Sequence, residues 1–199
     1  VEQIGKNIAV QSGLGNARET FTVSLLNSSV NNAFAVPGGY IYTTRQLVTL
    51  MNNEAELAAV LGHEVGHVAA RHSQRRQDAA TKNTLLGIGG ALLSGLIFGN
   101  SEVGRIGQQL ALQGSQMLTL KFSRKQELEA DDLGIQYLAR AGYDRRAMGT
   151  VLASLAAQNA LDARLAGRDA SVPAWASTHP DPASRVQSAL TKAGAASNG

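Results

Sequence analysis

The chain of 199 residues is long enough for one well-packed domain, and we expect residues 1–199 to form a single domain. Its net charge of +3 is small, and its Lys and Arg residues form no dense run, which argues against nucleic acid as a partner. It contains no cysteine, so disulfides are excluded and any metal site must use histidine and carboxylate ligands.

Three short segments near the N-terminus predict a small antiparallel sheet. Phe21–Leu26, Ala33–Val36 and Tyr40–Thr43 are rich in strand-forming residues, and Asn, Ser and Gly separate them. Pro37 cannot donate a hydrogen bond to a neighbouring strand, so we expect its strand at the edge of the sheet. Because helices are predicted elsewhere, the expected fold class is α+β and mainly helical.

The next segment predicts a buried helix. Asn53 with Glu56 three residues later is typical of a helix N-terminus, and Leu57–Ala70 is apolar nearly all round. Gly62 and Gly66 lower helix propensity. We therefore expect another helix to approach closely at these two glycines.

This helix contains the sequence H-E-x-x-H at residues 63–67. His63 and His67 lie about 40° apart around the axis, so both rings can bind one Zn²⁺ ion per chain. Glu64 can reach a water on that ion, and a buried carboxylate without a partner would be costly. The pattern predicts a zinc protease with Glu64 as general base. The alternative is two helix histidines with packed or solvated roles.

Residues 83–101 carry no charge, and Leu85–Gly99 contains five glycines. A membrane-spanning helix needs about 20 strongly apolar residues, and this stretch is marginal. We expect residues 85–120 to form a mobile helical hairpin or surface flap, with a membrane-facing hairpin as the alternative.

A catalytic zinc ion needs a third protein ligand from another segment. The candidates are Glu102, Glu127, Glu129, Asp131, Asp132 and His179. On a predicted helix over residues 123–140, Glu127 and Asp131 share a face, whereas Glu129 is about 200° away and should point to solvent. Glu127 as ligand with Asp131 accepting from a ligand imidazole N–H is a coherent pair. A solvated acidic patch is the alternative.

Two further histidines are treated differently. His72 lies about 180° around the helix from His63, so we expect it away from the metal. It should form a basic, solvated helix end with Arg71, Arg75 and Arg76.

His179 lies in a predicted loop over residues 162–180, which follows a predicted helix over 145–161 and precedes one over 182–192. One interpretation is an exposed loop histidine. The other places His179 beside the metal. There it donates to the oxyanion of the tetrahedral intermediate, or it occupies the open coordination position as a fourth ligand and keeps the site shut.

Five motifs recur in order along the chain: Phe34–Gly39, Gly62–His67, Ser123–Gly134, Ala141–Asp144, and Thr178–Pro180 followed by Arg185. Together they resemble the HtpX and CAAX prenyl protease family of gluzincin metallopeptidases. The subgroup most similar is the periplasmic one of BepA and LoiP, together with the mitochondrial Oma-type proteases.

The resemblance implies a zincin-like fold in which the edge strand borders the active-site helix. It implies His63, His67 and Glu127 as zinc ligands and Glu64 as catalytic base. It also implies Asp131 behind the ligands and places two more residues, His179 and Arg185, at the active site. The expected location is the bacterial periplasm or membrane periphery, with contact to outer-membrane assembly as a further expectation.

The expected substrates are unfolded polypeptides, added as an extra strand to the sheet edge. That edge consists of Ala33, Phe34, Ala35 and Val36. The competing hypothesis is a zinc-containing, chaperone-like binding module that holds unfolded chains while the protease site stays shut. A purely structural zinc site is a third hypothesis.

Overall fold

The computed structural model describes residues 1–36, 38–79, 81–82, 121–165 and 174–195. The segment expected as a flap or hairpin, residues 85–120, lies outside them, and so does Glu102. The helices are α1 Glu2–Val10, α2 Ala17–Thr20, α3 Arg45–Val48, α4 Glu54–Ala69, α5 Arg124–Arg140, α6 Ala147–Leu165, α7 Ala174–Thr178 and α8 Pro182–Ala195. The strands are β1 Thr22–Leu26, β2 Ala33–Val36 and β3 Tyr40–Thr44, and residues 72–79 are also helical. These elements confirm the α+β, mainly helical class.

The sheet is mixed, so the prediction of a purely antiparallel sheet was wrong. Its strand order is β1-β3-β2, with β2 antiparallel and β1 parallel to the central strand β3. The chain reverses direction between β1 and β2 and again between β2 and β3, which makes β3 run the same way as β1. Strand-forming residues reveal that strands exist but not their spatial order. The prediction that β2 lies at the edge is confirmed, and β2 packs against α4.

Helix α4 has the predicted start and a sharp end. Asn53 Oδ1 accepts a hydrogen bond from the backbone N–H of Glu56 at 3.0 Å. The helix is buried along most of its length, from Glu56 to His67. Arg71 then has a left-handed backbone, with φ of 53°. The chain therefore leaves the α4 axis before residues 72–79. Positions around the axis that were predicted for one continuous helix do not apply to those residues.

Helices α4 and α5 pack closely at the glycines of α4, as predicted. A Cβ atom built on Gly66 would lie 2.9 Å from the carbonyl oxygen of Ala130, and one on Gly62 would lie 3.4 Å from Gly134 Cα. Ser123 caps the start of α5 in a reciprocal capping box with Gln126. The close approach brings the first turns of α5 beside the histidines of α4.

The C-terminal part differs from the prediction of a loop over residues 162–180. Helix α6 continues to Leu165, and Ala174–Thr178 forms the short helix α7. Trp175 in α7 is 3 % exposed, and its backbone N–H donates to Asn31 O at 3.2 Å. Burial of this large ring outweighs the loop-forming tendency of the surrounding residues. Among the helices that the structure describes, none is both long enough and apolar enough to cross a bilayer.

Candidate metal centre

Four side chains converge between α4, α5 and the residue after α7. They are His63, His67, Glu127 and His179, and each can offer one ligand atom such that the four atoms lie within 4.8 Å of one another. The Nε2 atoms of His63 and His67 are 2.9 Å apart. Glu127 Oε1 lies 3.3 Å from His67 Nε2, and Glu127 Oε2 lies 3.5 Å from His63 Nε2. His179 Nδ1 lies 3.0 Å from Glu127 Oε1.

The chemistry of this cluster fits a metal ion. All four side chains are at most 2 % exposed, and nitrogen and carboxylate oxygen are ligands that zinc commonly takes in tetrahedral sites. Glu64 follows His63 and is also buried. Neither of its carboxylate oxygens has a hydrogen-bond partner among the described residues. A buried carboxylate without a hydrogen bond is unfavourable by itself, so its placement beside the cluster fits a site that receives another group.

Buried charges surround His63. Its Nδ1–H donates to Asp131 Oδ1 at 2.9 Å, and Arg185 donates through Nε to Asp131 Oδ2 at 2.8 Å and through Nη2 to Oδ1 at 2.6 Å. Burial by itself lowers the pKa of His63, but Glu127 and Asp131 outweigh it and raise that pKa to about 9. Burial raises the pKa of Asp131, and the hydrogen bonds from Arg185 and His63 lower it below its usual range.

Uncharged rings pack behind His67, on the side away from Glu127. Phe122 stacks on its face with ring centroids 3.8 Å apart, and His72 Nδ1 lies 2.8 Å from His67 Nδ1. Burial, and next the nearby His63, lower the pKa of His67 well below its ordinary value. The two histidines of α4 in the cluster therefore have different groups packed behind them.

The edge of the His179 ring that carries Nε2 faces Glu64. Its Nε2 atom lies 3.5 Å from Glu64 Oε1, and it makes no hydrogen bond with the described residues. The ring stacks on Trp175, with centroids 4.9 Å apart. The interpretation of His179 as an exposed loop residue was wrong, because it is 1 % exposed.

Comparison with known proteins agrees with this arrangement. The model of the family described as "Peptidase family M48" matches residues 1–193. The chain belongs to peptidase family M48. It is 35 % identical over 181 residues to the beta-barrel assembly-enhancing protease of Yersinia pestis, covering 89 % of this chain and 35 % of that protein. The family and the metallopeptidase class expected from the motifs are thereby confirmed.

Two other relatives are similar over shorter stretches. The mitochondrial metalloendopeptidase OMA1 of Arabidopsis thaliana is 37 % identical over 68 % of this chain and 26 % of its own length. The metalloprotease LoiP of Escherichia coli is 31 % identical over 63 % of this chain and 47 % of its own length. The chain spans about a third of the length of the beta-barrel assembly-enhancing proteases that it matches.

The structure brings the M48 motif residues together and leaves two of the other ligand candidates, Glu129 and Asp132, outside the cluster. Asp131 lies behind His63, and Arg185 contacts both Asp131 and Glu127. Asp132 instead forms an ion pair with Lys192 near the surface. Glu129 does not simply point to solvent as expected, because its carboxylate contacts His72 and Arg75.

Sequence reasoning misplaced His72 and did not consider Phe122. His72 is fully buried and contacts His67, so the expected solvated basic helix end was wrong at this residue. Arg75 does remain half exposed, whereas the Arg76 guanidinium lies 3.7 Å from the centroid of the Phe122 ring. The rotation estimate failed because the backbone turns at Arg71. No local pattern marks Phe122, whose role comes from its contact with His67.

Proposed function

We propose that this M48 domain is a zinc-dependent endopeptidase. The observation that carries the proposal is the buried cluster of His63, His67, Glu127 and His179 beside the carboxylate of Glu64, which makes no hydrogen bond with the described residues. The donor set of nitrogen and carboxylate oxygen suits zinc, and no cysteine is available to favour a softer metal.

Glu64 is the group that moves protons in this proposal. A bound zinc ion supplies Lewis acidity that makes a water more acidic and polarises the peptide carbonyl. Glu64 accepts the proton from the attacking water and passes it to the leaving amine. Asp131 keeps the proton of His63 on Nδ1, which directs the Nε2 lone pair toward Glu127 and the cluster.

The polypeptide substrate lies along the outer edge of β2. This strand has a neighbour only on its β3 side within the described sheet. A cavity of about 350 Å³ runs from β2 to the cluster, with Ala35 and Val36 on one side, Arg71 and Gln74 on the other, and His67 within its lining. Pairing along a strand edge reads the main chain, so the preferred substrates are unfolded segments of broad sequence.

The relatives favour the cell envelope as the setting. One is a beta-barrel assembly-enhancing protease of a bacterium, and LoiP of Escherichia coli is a metalloprotease. We propose that the activity is in the periplasm or at the membrane periphery and acts on unfolded envelope proteins, including those of outer-membrane assembly. Cleavage of unfolded outer-membrane proteins, but not of their folded forms, is the expected result with purified protein.

The decisive variant is Glu64→Gln. It should keep zinc and lose cleavage of an unfolded casein-like substrate, because the amide cannot accept the proton. Glu54→Gln is the matched control, since it makes the same change at the exposed start of α4. Unchanged turnover in Glu64→Gln would contradict the assignment of the base.

The ligand set is tested separately by Glu127→Ala. This variant should lose zinc, measured by atomic emission after dialysis, because Glu127 approaches both histidines and is fully buried. Stoichiometric zinc in the variant would move the third ligand elsewhere.

A variant of His179 tests whether this residue closes the active site or takes part in catalysis. Its Nδ1 atom faces Glu127, so we propose that it acts as a fourth ligand that closes the site. His179→Ala should then raise peptidase activity, whereas a role as oxyanion donor predicts a loss. Time-resolved mass spectrometry of an unfolded client tests the alternative of a binding module, because new peptide termini indicate a protease and a stable complex without fragments indicates a binder.

A further inference from the structure

We propose that His72 is a positioning residue for the metal site: it holds the ring of His67 by accepting a hydrogen bond from His67 Nδ1–H. This inference rests on the metal site proposed above and adds a residue to it. The two Nδ1 atoms are 2.8 Å apart, which is a hydrogen-bond distance.

The proton positions follow from what lies beyond His72. Its second ring nitrogen, Nε2, lies 3.2 Å from Glu129 Oε2, and a carboxylate can only accept. Nε2 of His72 therefore carries a hydrogen, and the neutral ring has its lone pair on Nδ1. His67 must then donate from its own Nδ1. This leaves the Nε2 lone pair of His67 directed at Glu127 and the cluster.

The surroundings fix this geometry. His72 is fully buried, and Phe122 stacks on the His67 ring, so neither ring can turn freely. Arg75 donates to both oxygens of Glu129 at 3.2 and 3.3 Å, which orients the carboxylate toward His72. The result is a chain from Glu129 through His72 to His67.

The left-handed residue Arg71 makes this contact possible. A straight continuation of α4 would carry residue 72 to the opposite side of the axis from the metal-facing histidines. With φ of 53° at Arg71, the chain changes direction, and His72 contacts His67, five residues earlier. A non-glycine residue in this conformation is uncommon and is tolerated where the surrounding contacts require it.

An acceptor behind the ring is a general feature of metal-ligating histidines, because the ring nitrogen that does not bind the metal almost always donates a hydrogen bond. Removal of that acceptor typically lowers metal affinity about 10- to 100-fold. Asp131 is the acceptor behind His63, and His72 is the corresponding acceptor behind His67.

Three substitutions at one position separate this role from simple packing. His72→Asn places an amide oxygen near the position of Nδ1, where it can accept from His67. His72→Gln places its amide near Nε2 and favours Glu129 instead. His72→Leu fills the space without any hydrogen bond. Zinc affinity is measured in the full chain by competition with a chromogenic chelator, and thermal unfolding of the metal-free proteins checks the fold.

We expect His72→Asn to bind zinc within a few-fold of the unsubstituted protein. The Gln and Leu variants should bind about 10- to 100-fold more weakly. Equal affinities in the Asn and Gln variants would overturn the proposal, and so would unchanged affinity in a folded Leu variant. If the Leu variant does not fold, the zinc affinities of the Asn and Gln variants still test the proposal.

A spectroscopic signature completes the test. In the ¹⁵N-labelled, zinc-loaded protein, the Nδ1–H resonance of His67 should show coupling to His72 Nδ1 across the hydrogen bond, and a His67 resonance without that coupling would contradict the assignment. Absence of proteolysis would overturn the proposed function but leave the order of zinc affinities intact, so the two failures are distinguishable.

Discussion

The region behind His63 and the region behind His67 hold equivalent imidazole rings with different kinds of contact, charged in one case and uncharged in the other. Behind His63 lies an ion pair of Asp131 and Arg185 that is nearly inaccessible to solvent. Behind His67 lie the uncharged rings of Phe122 and His72. One helix thus presents two histidines on one face, and the tertiary contacts alone decide their electrostatic character.

This difference has a consequence for the metal-free protein. The pKa of His63 is raised to about 9, because Glu127 and Asp131 outweigh the effect of burial, whereas burial and His63 lower the pKa of His67. At neutral pH the cluster therefore carries a proton on His63, between two carboxylates. That proton compensates part of the buried negative charge and must leave before His63 can bind a metal.

The largest effect is expected from removing the buried charge behind His63. Asp131→Ala removes one of the two buried carboxylates that contact Arg185 and His63 and leaves only Glu127, so it should lower the free energy of unfolding by about 3–5 kcal/mol, measured by urea denaturation. Asp132→Ala is the matched control on the same helix. Its ion pair with Lys192 is partly exposed, and it should lower that free energy by about 1 kcal/mol or less. Similar losses in both variants would contradict the difference in burial.

The pH dependence of zinc affinity should reveal the proton that His63 carries in the metal-free protein. Zinc affinity should rise about tenfold per pH unit from near neutrality and level off as pH passes the pKa of about 9, because binding releases this proton. The stability of the metal-free fold should change in the opposite direction. A raised pKa contributes stability that is present below about 6.5 and is lost as pH rises through about 9. Calorimetry in two buffers of different ionisation enthalpy checks the proton release, and affinity independent of pH would refute it.

The close packing of α4 on α5 should distinguish the two glycines. Gly66→Ala forces the new Cβ against Ala130 O, 2.9 Å away, and should destabilise the protein by about 1–3 kcal/mol. Gly62→Ala meets Gly134 Cα at 3.4 Å, and better helix propensity offsets the contact, so its effect should stay within about 1 kcal/mol. Thermal unfolding of both variants measures the difference, and a reversed order would mean that the helices lie farther apart at Gly66.

The smallest effect is expected at the outer end of the uncharged side. Glu129→Gln weakens the contacts to Arg75 and His72, but the carboxylate is 37 % exposed. The free energy of unfolding should fall by about 1 kcal/mol or less, and the loss should shrink in high salt. A loss as large as that of Asp131→Ala would show that Glu129 belongs to the buried network.

The amino-acid sequence was sufficient for the local features of the site. H-E-x-x-H on an apolar helix predicted two neighbouring rings, and the four-residue spacing of Glu127 and Asp131 predicted a shared face. The glycine positions predicted a close helix contact, which the structure confirms at Gly66 and Ala130. These inferences succeed because helical periodicity is local and the positions involved lie within one continuous helix.

Other features depended on the path of the chain in space. The strand order, the burial of His179 under Trp175 and the contact of His72 with His67 required turns that no periodic pattern contains. The backbone at Arg71 is the clearest case, since one left-handed residue converts an expected solvent-facing histidine into a buried neighbour of His67. The sequence alone determined the residue types and the helical spacing from which a metal site could be built. Only the tertiary structure decided what lies behind each of those residues, because contacts between distant segments set burial and charge.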